Sequence, residues 1–181
     1  MTVWLLALSL GVATPAQERV NPTAEAIAAF QKRVDMYLEL RKDLTKKIPE
    51  VKETGDPAKI SAREKALGQA IATAREGSKP GEIFGDLSSF LREVIAQDWQ
   101  SRSPADQKAT LSELPKSLKM AVNEAYPTNL PLATAPPNLL ARLPKLPEEL
   151  EYRLVDKQLI LRDRDANLVI DVLGGTAPAK K

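Results

Sequence analysis

Cysteine and histidine are both missing from the 181 residues of this chain. Without a thiol no disulfide can form, so an oxidising compartment offers no covalent support and stability must come from packing. The double absence also removes Ser-His-Asp and Cys-His nucleophilic pairs, the usual zinc ligands and thiol redox chemistry. No serine heads a Ser-x-x-Lys motif, and there is no Gly-x-Ser-x-Gly elbow. Gly77-Ser-Lys-Pro-Gly81 has glycines, but Pro80 lacks an N–H and the spacing fits neither phosphate-loop pattern, so it reads as a linker. Charge of one sign is scarce too. The net charge is +2 and the terminal Lys180 and Lys181 account for it. Basic and acidic residues number 16 and 16 before Pro115, then 10 and 8, so neither half carries the basic excess that phosphate neutralisation demands. Nucleic acid is therefore not an expected partner.

What the chain does have begins at its start. Val3 to Ala13 is an uncharged apolar run, followed by Thr14-Pro15-Ala16 and a polar stretch from Gln17. This is the pattern of a signal-peptide apolar region with small residues at the cleavage point, although no Lys or Arg precedes it. A membrane anchor is the competing reading, but roughly eleven apolar residues fall short of the ~20 a spanning helix needs. Cleavage near Ala16 is expected, giving a periplasmic or secreted protein with no transmembrane span in the mature chain. A lipoprotein signal would need a cysteine there. The chain thus divides into a signal peptide (1–16), a helical region (17–114), a Pro-rich connection and β-meander (115–173) and a flexible tail (174–181).

Helical periodicity fills the first half. Asn21 as cap and Pro22 at the first helical position open a helix. Ile27, Phe30, Val34, Tyr37, Leu38, Leu44 and Ile48 mark its apolar stripe until Pro49. Roughly 27 residues at ~1.5 Å each make a long rod. Asp56-Pro57 starts a second helix with a narrow face of Ile60, Leu67, Ala70, Ile71 and Ala74, closed by Gly77, and the two should form an antiparallel hairpin. A third helix from Asp86 carries Leu87, Phe90, Leu91, Val94, Ile95 and Trp99 on one face, where the centre of the core is expected. Ser103-Pro104-Ala105-Asp106 caps a short fourth helix that runs to Leu114.

Beyond Pro115 the period changes. Leu118, Met120 and Val122 alternate with polar neighbours, as in a half-buried strand. Six prolines between Tyr126 and Leu150 leave room only for a helical turn at Asn138 to Leu143. Leu150–Val155, Gln158–Arg162 and Leu168–Leu173, joined by tight turns, form a β-meander. Tyr152, Leu154, Leu159, Leu161, Leu168, Ile170 and Val172 can share its buried face. The expected class is α+β: a helical hairpin, two further helices, then a three- or four-stranded antiparallel meander packed on them.

The segment from Leu143-Pro-Lys-Leu-Pro through Tyr152-Arg153 and Leu159-Ile-Leu-Arg-Asp163 to Leu168-Val-Ile-Asp-Val172 resembles the C-terminal part of a set of short exported bacterial proteins of uncharacterised function. Phe30 to Tyr37 and Leu132 to Pro137 also look like members of that set. The resemblance implies no activity. Over about thirty residues the meander is more distantly similar to the C-terminal piece of periplasmic proteins linked to nickel and cobalt efflux, but this chain has no histidine to offer such a metal. That likeness implies fold alone.

Candidate chemistry is sparse. Asp163-Arg-Asp165-Ala-Asn167 opens like a calcium loop, then places Leu168 where glycine turns and Gly174 where a bidentate Glu is needed, so it reads as a hairpin turn. Glu93 and Asp98 could be offered as a glycosidase pair, but on one helix they diverge and read as solvated charges. Trp99 falls on an apolar stripe and reads as core. With Tyr37, Tyr126 and Tyr152 it could otherwise form a ligand platform. The basic residues of the first helix, Lys32-Arg33, Arg41-Lys42 and Lys46-Lys47, are interleaved with Asp35, Glu39 and Asp43, as on a solvated face. No catalytic, cofactor-binding or metal residue is assigned and no cofactor is expected. The functional expectation is an exported, non-catalytic accessory or binding protein, with a partner in the cell envelope. A small enzyme built on carboxylates, Lys or Ser and a self-assembling envelope component stand as alternatives.

Overall fold

The structure, a computed structural model, describes residues 21–50, 56–113, 118–129 and 135–176. The expected signal peptide, the Pro115 boundary and the end of the tail lie outside them. Five helices precede a three-stranded antiparallel sheet: α1 (Pro22–Thr45), α2 (Pro57–Ala74), α3 (Ser88–Ser101), α4 (Pro104–Glu113), α5 (Pro137–Leu140), then β1 (Leu150–Val155), β2 (Gln158–Asp163) and β3 (Leu168–Gly174). The class is α+β, and the meander runs in the order β1-β2-β3. No helix among the described residues is long and apolar enough to cross a membrane.

The helix starts follow the sequence closely. Asn21 and Asp56 each accept the N–H two residues on, at 3.0 Å, and Pro22 and Pro57 follow in the positions that need no donor. Ser103 Oγ accepts the Asp106 N–H at 3.2 Å at the head of α4. Ends are less faithful. α1 stops at Thr45, ahead of Pro49, and the third helix is preceded by a 3₁₀ turn at Gly85–Leu87.

One hydrophobic cluster joins the two halves: Phe30, Val34 and Tyr37 of α1, Leu67 and Ile71 of α2, Phe84 and Leu87, Leu91, Val94 and Ile95 of α3, and Leu150, Tyr152, Leu159, Leu161 and Ile170 of the sheet. Phe30 and Phe84 stack with ring centroids 6.1 Å apart. A smaller cluster on the other sheet face gathers Met120, Tyr126, Val155, Ile160, Val169 and Val172. Both faces of the meander are therefore covered, which a sheet this small requires.

Three expectations need correction. First, Leu118–Val122 forms no strand. Met120 instead gives its N–H to Gln158 Oε1 (2.8 Å) and takes Gln158 Nε2–H on its C=O (3.1 Å), so a side-chain amide replaces a neighbouring strand. Asn123 then turns with φ 64°, leaving one bridge from Ala125 to Leu168. Second, Val172 does not share the helix-side face. A bulge opposite Leu161/Arg162 inserts an extra residue in β3 and swaps the alternation, sending Val172 to the smaller cluster and Asp171 inward. Third, Trp99 belongs to neither cluster and is only half-buried; its neighbour Asp98 is the buried one, held by Arg102 at 2.7 Å. Asp98 takes the next place on the face of Leu91, Val94 and Ile95, seven residues after Leu91, and Arg102 neutralises it from the following turn.

α2 lies close on the β2–β3 turn. A Cβ at Gly68 would meet the Ala166 carbonyl oxygen at 2.8 Å, backbone against backbone. In an open helix Gly→Ala gains about 1 kcal/mol. Here overpacking, typically about 1–3 kcal/mol, outweighs it, and Gly68→Ala is expected to lower the melting temperature in a thermal unfolding scan. An unchanged or higher value would mean that α2 and the turn are further apart.

Candidate functional site

Polar side chains concentrate at three places, each where the sheet meets another part of the chain. The first is the β2–β3 turn. Asp163, fully buried at the end of β2, accepts the Tyr37 hydroxyl and Arg41 Nε at 2.7 Å on one oxygen and the Ala166 N–H at 2.9 Å on the other. Arg41 also reaches Asp165 at 2.5 Å. The Arg75 guanidinium covers the Tyr37 ring, 5.4 Å from its centroid. Burial pushes the Tyr37 hydroxyl well above its usual range, and the Asp163 charge adds to this. Desolvation pulls the Arg41 pKa down, but Asp163 and Asp165 raise it more. The Asp163–Asn167 segment is thus the expected turn, with α1 side chains holding it. Of the basic residues on the first helix, Arg33 and Arg41 depart from the expected solvated face and turn inward, whereas Lys46–Asp43 (2.8 Å) and Lys42–Glu39 (3.8 Å) pair outward.

The second place is the loop between α2 and α3, where sequence reasoning assigned nothing to the sheet residue involved. Asp171 is fully buried and accepts N–H groups from Gly81 (2.6 Å), Ile83 (2.8 Å) and Phe84 (2.7 Å), as well as from Val172. On the loop's other side, Arg33 donates to the carbonyls of Ile83 (2.7 Å) and Phe84 (3.2 Å). Gly81 (φ 84°) and Gly85 (φ 50°) supply the left-handed turns, and a Cβ at Gly85 would overlap the Arg33 guanidinium. Burial pushes the Asp171 carboxyl above the ordinary carboxylate range; the backbone donors oppose this without cancelling it. The available signal was an acid inside the apolar run Leu168–Leu173.

On the sheet's other face, Glu151 is shared by Arg153 (2.6 Å) and Arg162 (2.5 Å), which hold its carboxyl below the usual range against the pull of burial. Arg162 also donates twice to Asn167 Oδ1 and lies over the Tyr126 ring at 5.7 Å.

Beside β1 lies a cleft of about 260 Å³ lined by Leu140, Pro144, Lys145, Leu146 and the consecutive residues Leu150 to Arg153. Because neighbouring strand residues point to opposite faces, a cleft touching four in a row runs along the strand's edge. Tyr152 closes its inner side by donating its hydroxyl to the Pro144 carbonyl at 3.2 Å.

The residues singled out in the sequence do not converge. Tyr37, Tyr126 and Tyr152 serve separate networks and Trp99 stands apart, so they make no common platform. Glu93 is exposed and bonds Gln97 along its own helix, while Asp98 pairs with Arg102. Among the described residues no group of three acidic, His or Cys side chains is arranged to hold a metal ion. Compared with protein-family models, curated proteins and solved structures, the chain finds no match.

Asp171→Asn leaves buried loop N–H groups facing an amide NH₂. Each unpaired donor costs about 1–3 kcal/mol, so a clear fall in denaturation midpoint is expected, and an unchanged midpoint would contradict the anchor. Because burial raises the folded pKa of Asp171, the proton-linked part of its contribution, as distinct from its hydrogen bonds to the loop, is fully present below the unfolded value, about 3.9, and is lost as pH rises through the folded one. The variant's stability curve should be flatter across that window. A slope equal to the wild type's would refute the assignment.

Tyr37, Tyr126 and Tyr152 all have raised pKa values, with burial as the first cause. Their stabilising effect is present below the unfolded value of about 10 and declines as pH climbs. Phenolate absorbance should therefore appear above that value and together with unfolding. Ionisation of all three near 10 in an intact fold would show that they are exposed.

Proposed function

We propose that this is an exported, non-catalytic accessory or binding protein of the cell envelope that meets its partner at the cleft beside β1. The cleft is the observation that carries the reading. It offers Leu140, Pro144, Leu146, Leu150 and Tyr152 as an apolar lining, with Lys145, Glu151 and Arg153 as a polar rim. An apolar floor with a few charged groups at its margin is the composition of a recognition site. The rest of the ionisable inventory supports a binding role over a catalytic one. Asp98, Asp163 and Asp171 are engaged by Arg102, by Tyr37 and Arg41, and by loop N–H groups, so the buried carboxylates hold the fold together. Export is supported by the apolar run Val3–Ala13 and the small residues through Ala16.

Cell fractionation with N-terminal sequencing tests the location: a product beginning near Gln17 in the envelope or medium is expected. A cytosolic product with residues 1–16 intact would refute it. For the cleft, Leu146→Glu should abolish recovery of any companion that copurifies with the wild-type protein without lowering its melting temperature by more than a few degrees. Undiminished recovery would place the binding surface elsewhere.

A further inference from the structure

β1 is an edge strand, and every second residue faces its backbone outward. The two-residue turn at Asp156-Lys157 makes Val155 and Gln158 a hydrogen-bonded pair, so by alternation Arg153 and Glu151 also bond to β2. The Arg164 N–H on the Glu149 carbonyl, at 2.9 Å, continues the same phase. Leu150, Tyr152 and Leu154 therefore turn their N–H and C=O groups away from the sheet. Pro147 takes the Leu150 N–H at 3.1 Å. Among the described residues, nothing pairs with the backbone of Tyr152 or Leu154. The opposite edge differs, because Asn123, Glu124 and Tyr126 bond to the outer side of the β3 hairpin at Val169 and Asn167. An edge whose outward backbone is unpaired among the described residues, beside an apolar cleft, is a template for another strand.

We propose that this edge pairs antiparallel with β1 of a second copy of the chain, about a two-fold axis at Tyr152. The inference deepens the binding reading by naming what meets the cleft side of β1. Its basis is that the strand Leu150-Glu-Tyr-Arg-Leu154 is complementary to itself. With Tyr152 on the axis, Glu151 lies opposite Arg153 of the second copy and Arg153 opposite its Glu151. Leu150 lies opposite Leu154 in both directions. Opposite charges directly across a ladder stabilise it, and like charges destabilise it. The free backbone groups also fit: Tyr152 N–H reaches Tyr152 C=O each way, and Leu154 N–H reaches the Leu150 C=O that its own sheet leaves open. Neighbouring registers do worse. An axis at Leu150 sets Glu149 against Glu151 and collides with Pro147, whereas an axis at Leu154 brings Asp156, at φ 46°, into the ladder. The two sheets become one across the axis, an isologous contact of the kind closed dimers use.

Sedimentation of the full chain, at concentrations up to about 1 mM, is expected to show twice the monomer mass. Arg153→Glu, which sets Glu against Glu151 of the second copy, should weaken the dimer at least tenfold. Leu154→Pro should do the same by deleting an outward N–H that an edge strand can spare. Since the chain has no cysteine, Tyr152→Cys gives a clean cross-link: residues on the axis sit about 5.5 Å apart, within disulfide range. An oxidised dimer is expected there and none from Lys157→Cys. If Tyr152→Cys does not fold, the wild-type mass and Leu154→Pro decide. A monomer at the highest concentration, or a dimer that neither substitution weakens, overturns the inference. Loss of dimerisation alone leaves the binding reading standing, because a companion abolished by Leu146→Glu can still bind a monomer.

Discussion

Charge buried in the sheet's helix-side face has to be met by donors from the helical half, and this requirement ties the molecule together. Asp163 closes β2 and Asp171 lies at the middle of the adjacent β3, both fully buried. A carboxylate in that position is unfavourable unless its oxygens are hydrogen-bonded. Tyr37 and Arg41 answer one, and the backbone of Gly81 to Phe84 answers the other. Hydrophobic burial drives the two halves together but does not fix their register, being non-directional. These two acids do, since each accepts donors at set positions on α1 or on the loop that leads into α3.

Asp171 shows the constraint most clearly. The loop it holds is bonded on both polar sides, N–H groups to Asp171 and carbonyls to Arg33, so its backbone is satisfied without helix or sheet pairing. That arrangement places Phe84 against Phe30 and sets the start of α3. The β3 bulge is part of the same arrangement, because without the extra residue Asp171 would face the smaller cluster. A chain with no disulfide gains from this a directional tie between segments far apart in sequence, about ninety residues in the case of Gly81 and Asp171.

Much of the fold was legible before the structure. Asn21-Pro22 and Asp56-Pro57 announce helix starts because capping is local chemistry, written within a few residues. The meander was legible for the same reason, from alternation and turn residues, and its extents agree within a residue or so. What escaped was whatever depends on distant partners. Nothing near Met120 says that a Gln158 amide will take the place of a strand. A bulge moves Val172 and Asp171 to opposite faces from those a strict alternation assigns. Arg33 and Arg41 look like their exposed neighbours until the acids they bind are known. Trp99 sat on the correct stripe by spacing, but Arg102 made Asp98 cheaper to bury than a helical wheel assumes. The candidate site was not legible, because the cleft forms where Leu140 and the 144–146 segment come against the edge of β1, a meeting that no local pattern announces.

Amide hydrogen exchange at Gly81, Ile83 and Phe84 tests the central claim most directly. If Asp171 ties the helical half to the sheet, these three amides exchange only through global unfolding, with protection matching the chain's full stability and falling in step with it in denaturant. Rapid exchange there while the β2 and β3 amides stay protected would show a loop that opens on its own, and would contradict the account.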